Sequence, residues 1–183
     1  MSPIFEETAL ALRGKGIRYA LIGAVAMAGR GVMRSTDDLD LFVVDRAVLQ
    51  PGFWSDVEAL GFAVEVRVGD DTDPLAGVVR LAGAKVEHPV DVVVGKKAWH
   101  AEVIERAEPY RLGALEVPLV LASDLILLKL YAGAAQDVLD VRALLDAGDR
   151  TRLIAEVNRT VGRLPPGARE HWQQIAPDPG MSR

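Results

Sequence analysis

The sequence predicts a mixed α/β fold, an α+β sheet with a helical C-terminal portion. Short apolar runs bounded by Gly, Pro or Asp, such as Ile17–Ile22, Asp38–Val44 and Val86–Val94, are typical of buried strands. Helical patterns separate the first runs, and after residue 121 only helical patterns follow. Strands mixed with helices and then helices alone predict one sheet with a helical end.

Composition limits the class of protein. The chain has 183 residues, a formal net charge of −5, 50% hydrophobic residues and no cysteine. Disulfides and thiolate metal sites are therefore excluded, and the net charge does not favour general attraction to nucleic acid. No apolar run approaches the ~20 residues of a membrane span, and the start of the sequence lacks a signal-peptide pattern. We therefore expect a cytoplasmic protein with no membrane partner.

The first half predicts alternating helices and strands. Residues 3–14 have a helical apolar spacing with Pro3 in the first turn, and glycines end that helix. Pro51 and Gly52 disturb the helix expected over Ala47–Leu60. The remaining elements are a strand at Ile17–Ile22, a short helix at Ala24–Gly29, a loop at Arg34–Asp37, and strands at Asp38–Val44, Phe62–Val68, Val78–Ala82 and Val86–Val94.

The second half predicts a helix, two short strands and then helices. Ser123 is a good cap for the helix over Ala122–Ala135, and Gly148 ends a later one. The predicted elements are a helix at Lys97–Ala107, short strands at Tyr110–Leu112 and Leu115–Val117, and helices at Ala122–Ala135, Asp137–Asp146 and Asp149–Val161. We expect a core over residues 1–118, a helical portion over 119–164 and a flexible tail over 165–183, where Pro and Gly are frequent.

The stretch from Gly23 to Asp45 combines two features that suit a nucleotide. Asp38 and Asp40 are two residues apart, so on a strand both carboxylates leave the same face. Magnesium is commonly held by one or two carboxylates together with substrate phosphates. Gly23 precedes a short helix, whose first N–H groups favour phosphate. The stretch therefore predicts a metal–nucleotide site.

Other interpretations of Asp38-Leu39-Asp40 exist. Both acids could be solvated at the start of a strand. A phosphatase with an aspartyl nucleophile would need a glycine and a hydroxyl soon after the second acid, where this chain has Leu41-Phe42. A metal-binding glycosyltransferase motif would need a longer nucleotide-binding region than the 37 residues that precede Asp38.

Asp91 adds a third carboxylate. It lies inside the apolar run Val90–Val94, where a charged group is costly unless it is paired or ligating. If this strand lies beside the strand of Asp38 and Asp40, three carboxylates converge as in two-metal phosphoryl transfer. The alternative is an edge-strand acid that faces water.

These residues together resemble the nucleotidyltransferase superfamily of polymerase-beta type. The resemblance lies in Ile22-Gly23-Ala24, in the segment Arg34 to Leu41, and in the later strand aspartate. The segment Asp124–Leu130 with Lys129, followed by Asp137 and Asp140, is similar to AbiEii-like abortive-infection toxins and minimal nucleotidyltransferases. The resemblance as a whole covers roughly residues 17–146, and it implies a nucleotidyltransferase-like core.

The resemblance also implies a role for each residue. Catalytic residues and ligands of magnesium, with two ions expected, would be Asp38, Asp40 and Asp91. The NTP, with ATP as one candidate, would contact Gly23, Ala24, Arg34, Thr36 and Lys129. Ala24 departs from the usual Ser or Gly, so a hydroxyl contact is lost while the backbone N–H remains. Asp137 and Asp140 are expected to cap and pair within a helix.

Lys129 is the only charged residue in the segment from Leu125 to Tyr131. Such a helix is buried nearly all round, so the lysine must either extend to the surface or reach an anion. We expect its ammonium within salt-bridge range of Asp38, Asp40 or Asp91 when no nucleotide is bound. Lys129→Met would then weaken NTP binding with unchanged stability.

The predicted function is magnesium-dependent transfer of an NMP from an NTP to an RNA, protein or small-molecule acceptor. The resemblance includes toxins, so an antitoxin partner is a further expectation. The alternative is an inactive relative that binds nucleotide as a binding or regulatory partner.

Overall fold

The computed structural model describes residues 3–33, 38–83 and 88–176, which form seven strands and eight α-helices. The strands are β1 (Ala20–Ile22), β2 (Leu39–Val43), β3 (Ala63–Val68), β4 (Gly77–Ala82), β5 (Val90–Val94), β6 (Glu108–Leu112) and β7 (Leu115–Leu119). The helices are α1 (Pro3–Gly14), α2 (Gly23–Gly29), α3 (Ser55–Ala59), α4 (Ala98–Glu105), α5 (Ala122–Ala132), α6 (Ala135–Ala147), α7 (Arg150–Asn158) and α8 (Pro166–Ile175).

All seven strands belong to one mixed sheet with the order β3-β4-β5-β2-β1-β7-β6. β2 pairs with β5 in parallel and with β1 in antiparallel fashion. The strand of Asp40 therefore lies between the first strand and the strand of Asp91, so the expected adjacency of each to β2 is confirmed, whereas β1 and β5 do not pair with each other. The mixed α/β fold class is confirmed as well.

Strands β4 and β5 have one buried face and one partly open face because their side chains alternate, whereas β2 is buried on both faces from Leu41 onward. On the buried face the residues of β4, β5 and β2 are fully buried aliphatics: Val79, Leu81, Val90, Val92, Val94, Leu41 and Val43. Helix α1 contacts β5 and α3, with Phe5 and Leu12 fully buried. The opposite face carries the charged side chains considered below.

The chain forms two compact units. The sheet unit comprises residues 1–26 and 34–120, and the helical unit comprises residues 27–33 and 121–183. Residues 27–33, which were expected in the first domain, thus group with the helices. In the helical unit α5 contacts α6, α7 and α8, and its buried apolar residues surround the helix as its sequence predicted.

Three predicted elements differ from the structure. The helix expected over residues 47–60 is a 3₁₀ turn at Arg46–Leu49 and the short α3, because Pro51 lacks a donor and Gly52 is left-handed with φ of 80°. Of the strand expected over residues 86–94, residues 86 and 87 lie outside the described residues, and the strand β5 covers Val90–Val94. The tail expected to be flexible contains α8, which packs through Trp172 and Ile175, both buried.

None of the helices in the described residues is both long enough and apolar enough to cross a membrane.

Candidate active site

A row of charged side chains crosses four neighbouring strands on the open face of the sheet. Glu65 on β3 pairs in register with Arg80 on β4, and Arg80 pairs with Asp91 on β5. Asp91 is in turn level with Asp40 on β2. Residues level with one another on adjacent strands point to the same face, so these four side chains form one line.

Arg80 is shared by two carboxylates in the middle of this row. Its Nη1 donates to Asp91 Oδ2 at 2.8 Å, and its Nη2 donates to Asp38 Oδ1 at 3.3 Å. We call Arg80, Asp38 and Asp91 the sheet triad. The planar guanidinium suits such a bridge because it presents several donors in a fixed geometry. The triad shows that a cation is stable between Asp38 and Asp91.

Asp91 is a largely buried acid, with 19% of its side chain exposed. Burial raises the pKa of Asp91 above its ordinary value, the charge of Arg80 opposes this rise, and the charge of Asp38 adds to it. Its Oδ1 is buried and accepts no hydrogen bond within the residues that the structure describes. A buried oxygen that lacks a donor is costly, and it is a candidate for a ligand or a proton.

Gly23 lies directly against Asp40. Ile22 on β1 is level with Asp40, and the chain then turns at Gly23 with φ of 68°. A Cβ on Gly23 would lie 2.7 Å from Cγ of Asp40, closer than real atoms approach. Glycine therefore lets the backbone approach the carboxylate and adopt a left-handed conformation at the same time. Ala24 follows as the second residue of α2 and is buried.

The residues of the site partly fit a divalent metal. Asp38, Asp40 and Asp91 offer only carboxylate oxygens, the donors that magnesium prefers. The buried Oδ1 of Asp91, which accepts no hydrogen bond within the described residues, is a suitable oxygen donor for a metal ion. However, no group of three or more His, Asp or Glu residues that could hold a metal ion is found in residues 3–33, 38–83 and 88–176. A metal would thus require Arg80 to leave its position between the two acids.

Two of the predicted nucleotide contacts cannot be placed. Arg34 and Thr36 lie outside the described residues. Lys129, another predicted nucleotide contact, lies in the helical unit on α5 and forms ion pairs with aspartates of that unit. Its Nζ lies 2.6 Å from Asp140 Oδ2 and 3.1 Å from Asp137 Oδ1. The expected proximity of Lys129 to Asp38, Asp40 or Asp91 stays a prediction.

Asp137 and Asp140 join α5 to α6. Asp137 also accepts a hydrogen bond from the N–H of Ala134 at the start of α6, and Asp140 accepts one from Gln136. We call Lys129, Asp137 and Asp140 the helix triad. Capping and ion pairing are the roles that the sequence predicted for the two aspartates.

Arg80 is the site residue that sequence reasoning missed. Its signal is the same as that of Asp91, a single charge inside an apolar strand, here Val78-Val79-Arg80-Leu81-Ala82. A charge at such a position needs a partner of opposite sign. Two opposite charges inside neighbouring predicted strands would have indicated the pair.

Comparison with known proteins identifies the fold. No family model matches the sequence, and no curated protein sequence matches it. The solution structure of the antibiotic-resistance factor ANT(2'')-Ia is similar with a TM-score of 0.56 at 16% identity, covering 93% of this chain and 95% of that one. The crystal structure of ANT(2'')-Ia with adenylyl-2''-tobramycin gives 0.55 at 14% identity, covering 87% and 96%.

This likeness is consistent with a nucleotidyltransferase-like fold, and the AbiEii-like subtype stays a prediction. At this identity the likeness concerns the fold and not the substrate. The chain therefore has the mixed α/β fold of the nucleotidyltransferases, as its Gly23, Asp38, Asp40 and Asp91 pattern predicted.

Proposed function

We propose that the chain is a magnesium-dependent nucleotidyltransferase that moves an NMP from an NTP to a hydroxyl acceptor. The observation that carries the proposal is the pairing of Asp40 and Asp91 at the same level of two parallel strands, with Gly23 against Asp40. Carboxylates placed side by side repel each other, and such pairs commonly serve metal or proton chemistry.

The residues would divide the work as follows. Gly23 and the N–H of Ala24 would lie along the triphosphate, since no side chain there keeps the phosphates away. Asp38, Asp40 and Asp91 would hold magnesium, which when bound supplies positive charge to the phosphates. Asp91 would also take the proton of the acceptor hydroxyl, the role of base that the resemblance implies for the third carboxylate. Arg80 would turn from the acids to a phosphate oxygen.

A second candidate is a nucleotide-binding protein without transfer activity. It is favoured by the position of Arg80, whose guanidinium lies between Asp38 and Asp91 where a cation is needed. If Arg80 stays there, it replaces a metal ion and the acids cannot activate an acceptor. Nucleotide binding would then persist in EDTA.

The finer predictions belong to this proposal. Lys129, Arg34 and Thr36 stay predicted nucleotide contacts, and for Lys129 this requires that it leave Asp137 and Asp140. RNA, protein and small molecules stay possible acceptors, and a toxin role with an antitoxin partner follows only from the resemblance. Co-purification of a tagged chain with a product of a neighbouring gene would test that role.

Replacement of Asp40 by Asn tests the proposal. Asp40→Asn keeps the shape of the side chain and removes one ligand charge, so magnesium-dependent ATP binding or turnover should be lost with little change in folding. Asp56→Asn is the matched control, because Asp56 is an exposed acid of the same unit that pairs with Lys15. Calorimetric titration with Mg-ATP, ATP in EDTA and magnesium alone gives the readout.

The outcomes separate the two candidates. Tight binding only with magnesium, lost in Asp40→Asn and retained in Asp56→Asn, supports the transferase. Equal binding in EDTA, retained in Asp40→Asn, supports the binding protein. Release of pyrophosphate from ATP in the presence of an acceptor mixture supports the transferase directly.

A further inference from the structure

A cavity of about 340 Å³ lies beside Asp91, on the side of the row that faces β3. It is formed within the sheet unit by β3, β4 and the turn that joins them. Both Arg80 and Asp91 line it, so it is continuous with the sheet triad. Gly23 lies on the other side of the row, next to β1. The carboxylates thus separate the predicted nucleotide position from this cavity.

The cavity is lined by a cation, Arg67, that has hydrogen-bond donors available for a ligand. Arg67 lines it with an exposed side chain, and its Nε donates to Glu65 Oε1 at 2.8 Å. Within the described residues, no hydrogen bond or ion pair is formed by its two terminal amino groups. These groups can grip a carboxylate or phosphate in bidentate fashion. Arg67 is therefore suited to an anion at the mouth of the cavity.

The acids of the cavity are engaged elsewhere. Asp73 accepts a hydrogen bond from the N–H of Asp70 at 2.8 Å and so holds the turn between β3 and β4. Asp91 is bound to Arg80. The rest of the lining is largely aliphatic, with Leu75 and Val78. Nothing here resembles the acidic lining that a polycation needs.

We propose that this cavity binds the acceptor, and that the acceptor is a small hydroxyl compound with one carboxylate or phosphate group. The proposal rests on the proposed function. Arg67 binds the anion, and the hydroxyl lies towards Asp91. The volume is near the lower end for small-molecule sites, which fits a compound of metabolite size. A polycation such as tobramycin is disfavoured by Arg67 and Arg80.

The position of the cavity suits the chemistry. In-line transfer needs the attacking oxygen and the leaving group on opposite sides of the α-phosphorus. The acceptor oxygen forms a bond to the α-phosphorus, and the bond from that phosphorus to the bridging oxygen breaks. Pyrophosphate leaves with that electron pair, and the hydroxyl proton passes to Asp91. An acceptor on the β3 side and a triphosphate on the β1 side allow this arrangement.

Nuclear magnetic resonance of the full chain tests the binding site without nucleotide or metal. Glycerol 3-phosphate is the probe, with glycerol and tobramycin as comparisons. We expect saturable shifts of Arg67 Nε–H and of the amides of Gly69 and Gly77 with glycerol 3-phosphate alone. Arg67→Gln should weaken this binding about tenfold or more, because a charge-assisted bidentate contact is lost.

Arg18→Gln is the matched control. Arg18 is an exposed arginine of the same unit, 69% exposed against 71% for Arg67, and it also pairs with one glutamate. Binding unchanged in Arg18→Gln and weakened in Arg67→Gln supports the proposal. Equal binding in wild type and Arg67→Gln, or tighter binding of tobramycin, overturns it.

A parallel titration with Mg-ATP distinguishes this proposal from the proposed function. Mg-ATP binding without any shift from glycerol 3-phosphate refutes the acceptor class and leaves the transferase in place. Binding of glycerol 3-phosphate through Arg67 without Mg-ATP binding refutes the transferase, and the acceptor role fails with it.

Discussion

Each of the two units shares a single cation between two aspartates, but in different surroundings. In the sheet triad the side chains of Arg80, Asp38 and Asp91 are 39%, 41% and 19% exposed. In the helix triad the corresponding fractions are 10% for the lysine, 17% for the first aspartate and 4% for the second. Water can therefore replace a lost partner in the sheet triad far more easily than in the helix triad.

The difference indicates what each triad is for. A buried ion pair that loses one partner leaves an uncompensated charge, which typically costs several kcal/mol, whereas exposed pairs contribute little. The helix triad is thus suited to fixing α5 against α6. The sheet triad is suited to exchange, since its cation can leave for a metal or a phosphate at small cost.

The largest expected effect is in the helix triad. Lys129→Met keeps the aliphatic part of the side chain but leaves the buried carboxylates of Asp137 and Asp140 without their cation. The free energy of unfolding should therefore fall by about 3–5 kcal/mol. The sequence alone led us to expect unchanged stability, and this measurement decides between the two expectations. Lys15→Met is the control, since Lys15 pairs with an exposed acid and should change stability by about 1 kcal/mol or less. Urea denaturation measures both, and similar values for the two variants would contradict the comparison.

A buried histidine in the sheet unit extends the comparison to pH. His100 is fully buried against Phe42 and Trp99, and burial lowers its pKa to about 4. The pKa of His100 in the native state lies below its value of ~6.5 in the unfolded chain, so a fall in pH protonates the unfolded chain first. The contribution of neutral His100 to the free energy of unfolding is therefore complete above pH ~6.5 and is lost as the pH falls towards about 4. The loss should be on the order of 3 kcal/mol.

Denaturation between pH 7 and 4 gives the measurement. His100→Asn removes the titration, so its stability should fall less steeply over this range than that of the wild type. His171→Asn, at an exposed position of α8, should follow the wild type. Parallel curves for wild type and His100→Asn would show that burial does not control this histidine.

Gly23 tests how closely the backbone must approach the carboxylates. Gly23→Ala places a Cβ on a residue of left-handed conformation, where it overlaps the side chain of Asp40. We therefore expect the free energy of unfolding to fall by about 2 kcal/mol and Mg-ATP binding to be lost. Gly16→Ala has nearly the same φ, 71°, with open space at the added Cβ, and should cost about 1 kcal/mol. Thermal melts and titration with Mg-ATP separate the two effects. Unchanged nucleotide binding in Gly23→Ala would remove this residue from the site.

The smallest expected effect on stability is in the sheet triad itself. Arg80→Met should change the free energy of unfolding at neutral pH by about 1 kcal/mol or less. It should also raise the pKa of Asp91 further, because the opposing charge is removed. Carboxyl-carbon resonances report that pKa, and manganese titration should show tighter binding than in the wild type if Arg80 occupies the place of a metal ion. A destabilisation as large as that of Lys129→Met would contradict the comparison.

Much of the sheet site could be predicted because it depends on strand alternation. The apolar runs around Asp40 and Asp91 indicated buried strands, and the carboxylate inside each run indicated a common metal site. Arg80 was missed, although the same rule applies to a charge inside an apolar strand, and its pairing with Asp91 depends on the order of the strands. Gly23 was predicted as an approach point for phosphate, but its contact with Asp40 depends on the register of β1 and β2.

The helix triad could not be predicted in the same way. The partners of Lys129 are eight and eleven positions further along the chain, beyond the turn at Gly133 and on another helix. Their meeting depends on the crossing of α5 and α6, which helical periodicity does not determine. The packing of α8 likewise depends on Trp172, whose Nε1 donates to Asn158 Oδ1 on α7.

The parallel pairing of β2 with β5 also determines when the site can exist during synthesis. Asp40 and Asp91 become neighbours only after the chain has extended through β3 and β4, a crossover that must close before the two strands can pair. A nascent chain that has emerged only as far as β4 contains Gly23, Asp38 and Asp40 but no Asp91. The proposed site therefore cannot assemble while this part of the protein is still being made, and a fragment cut before β5 would lack Asp91.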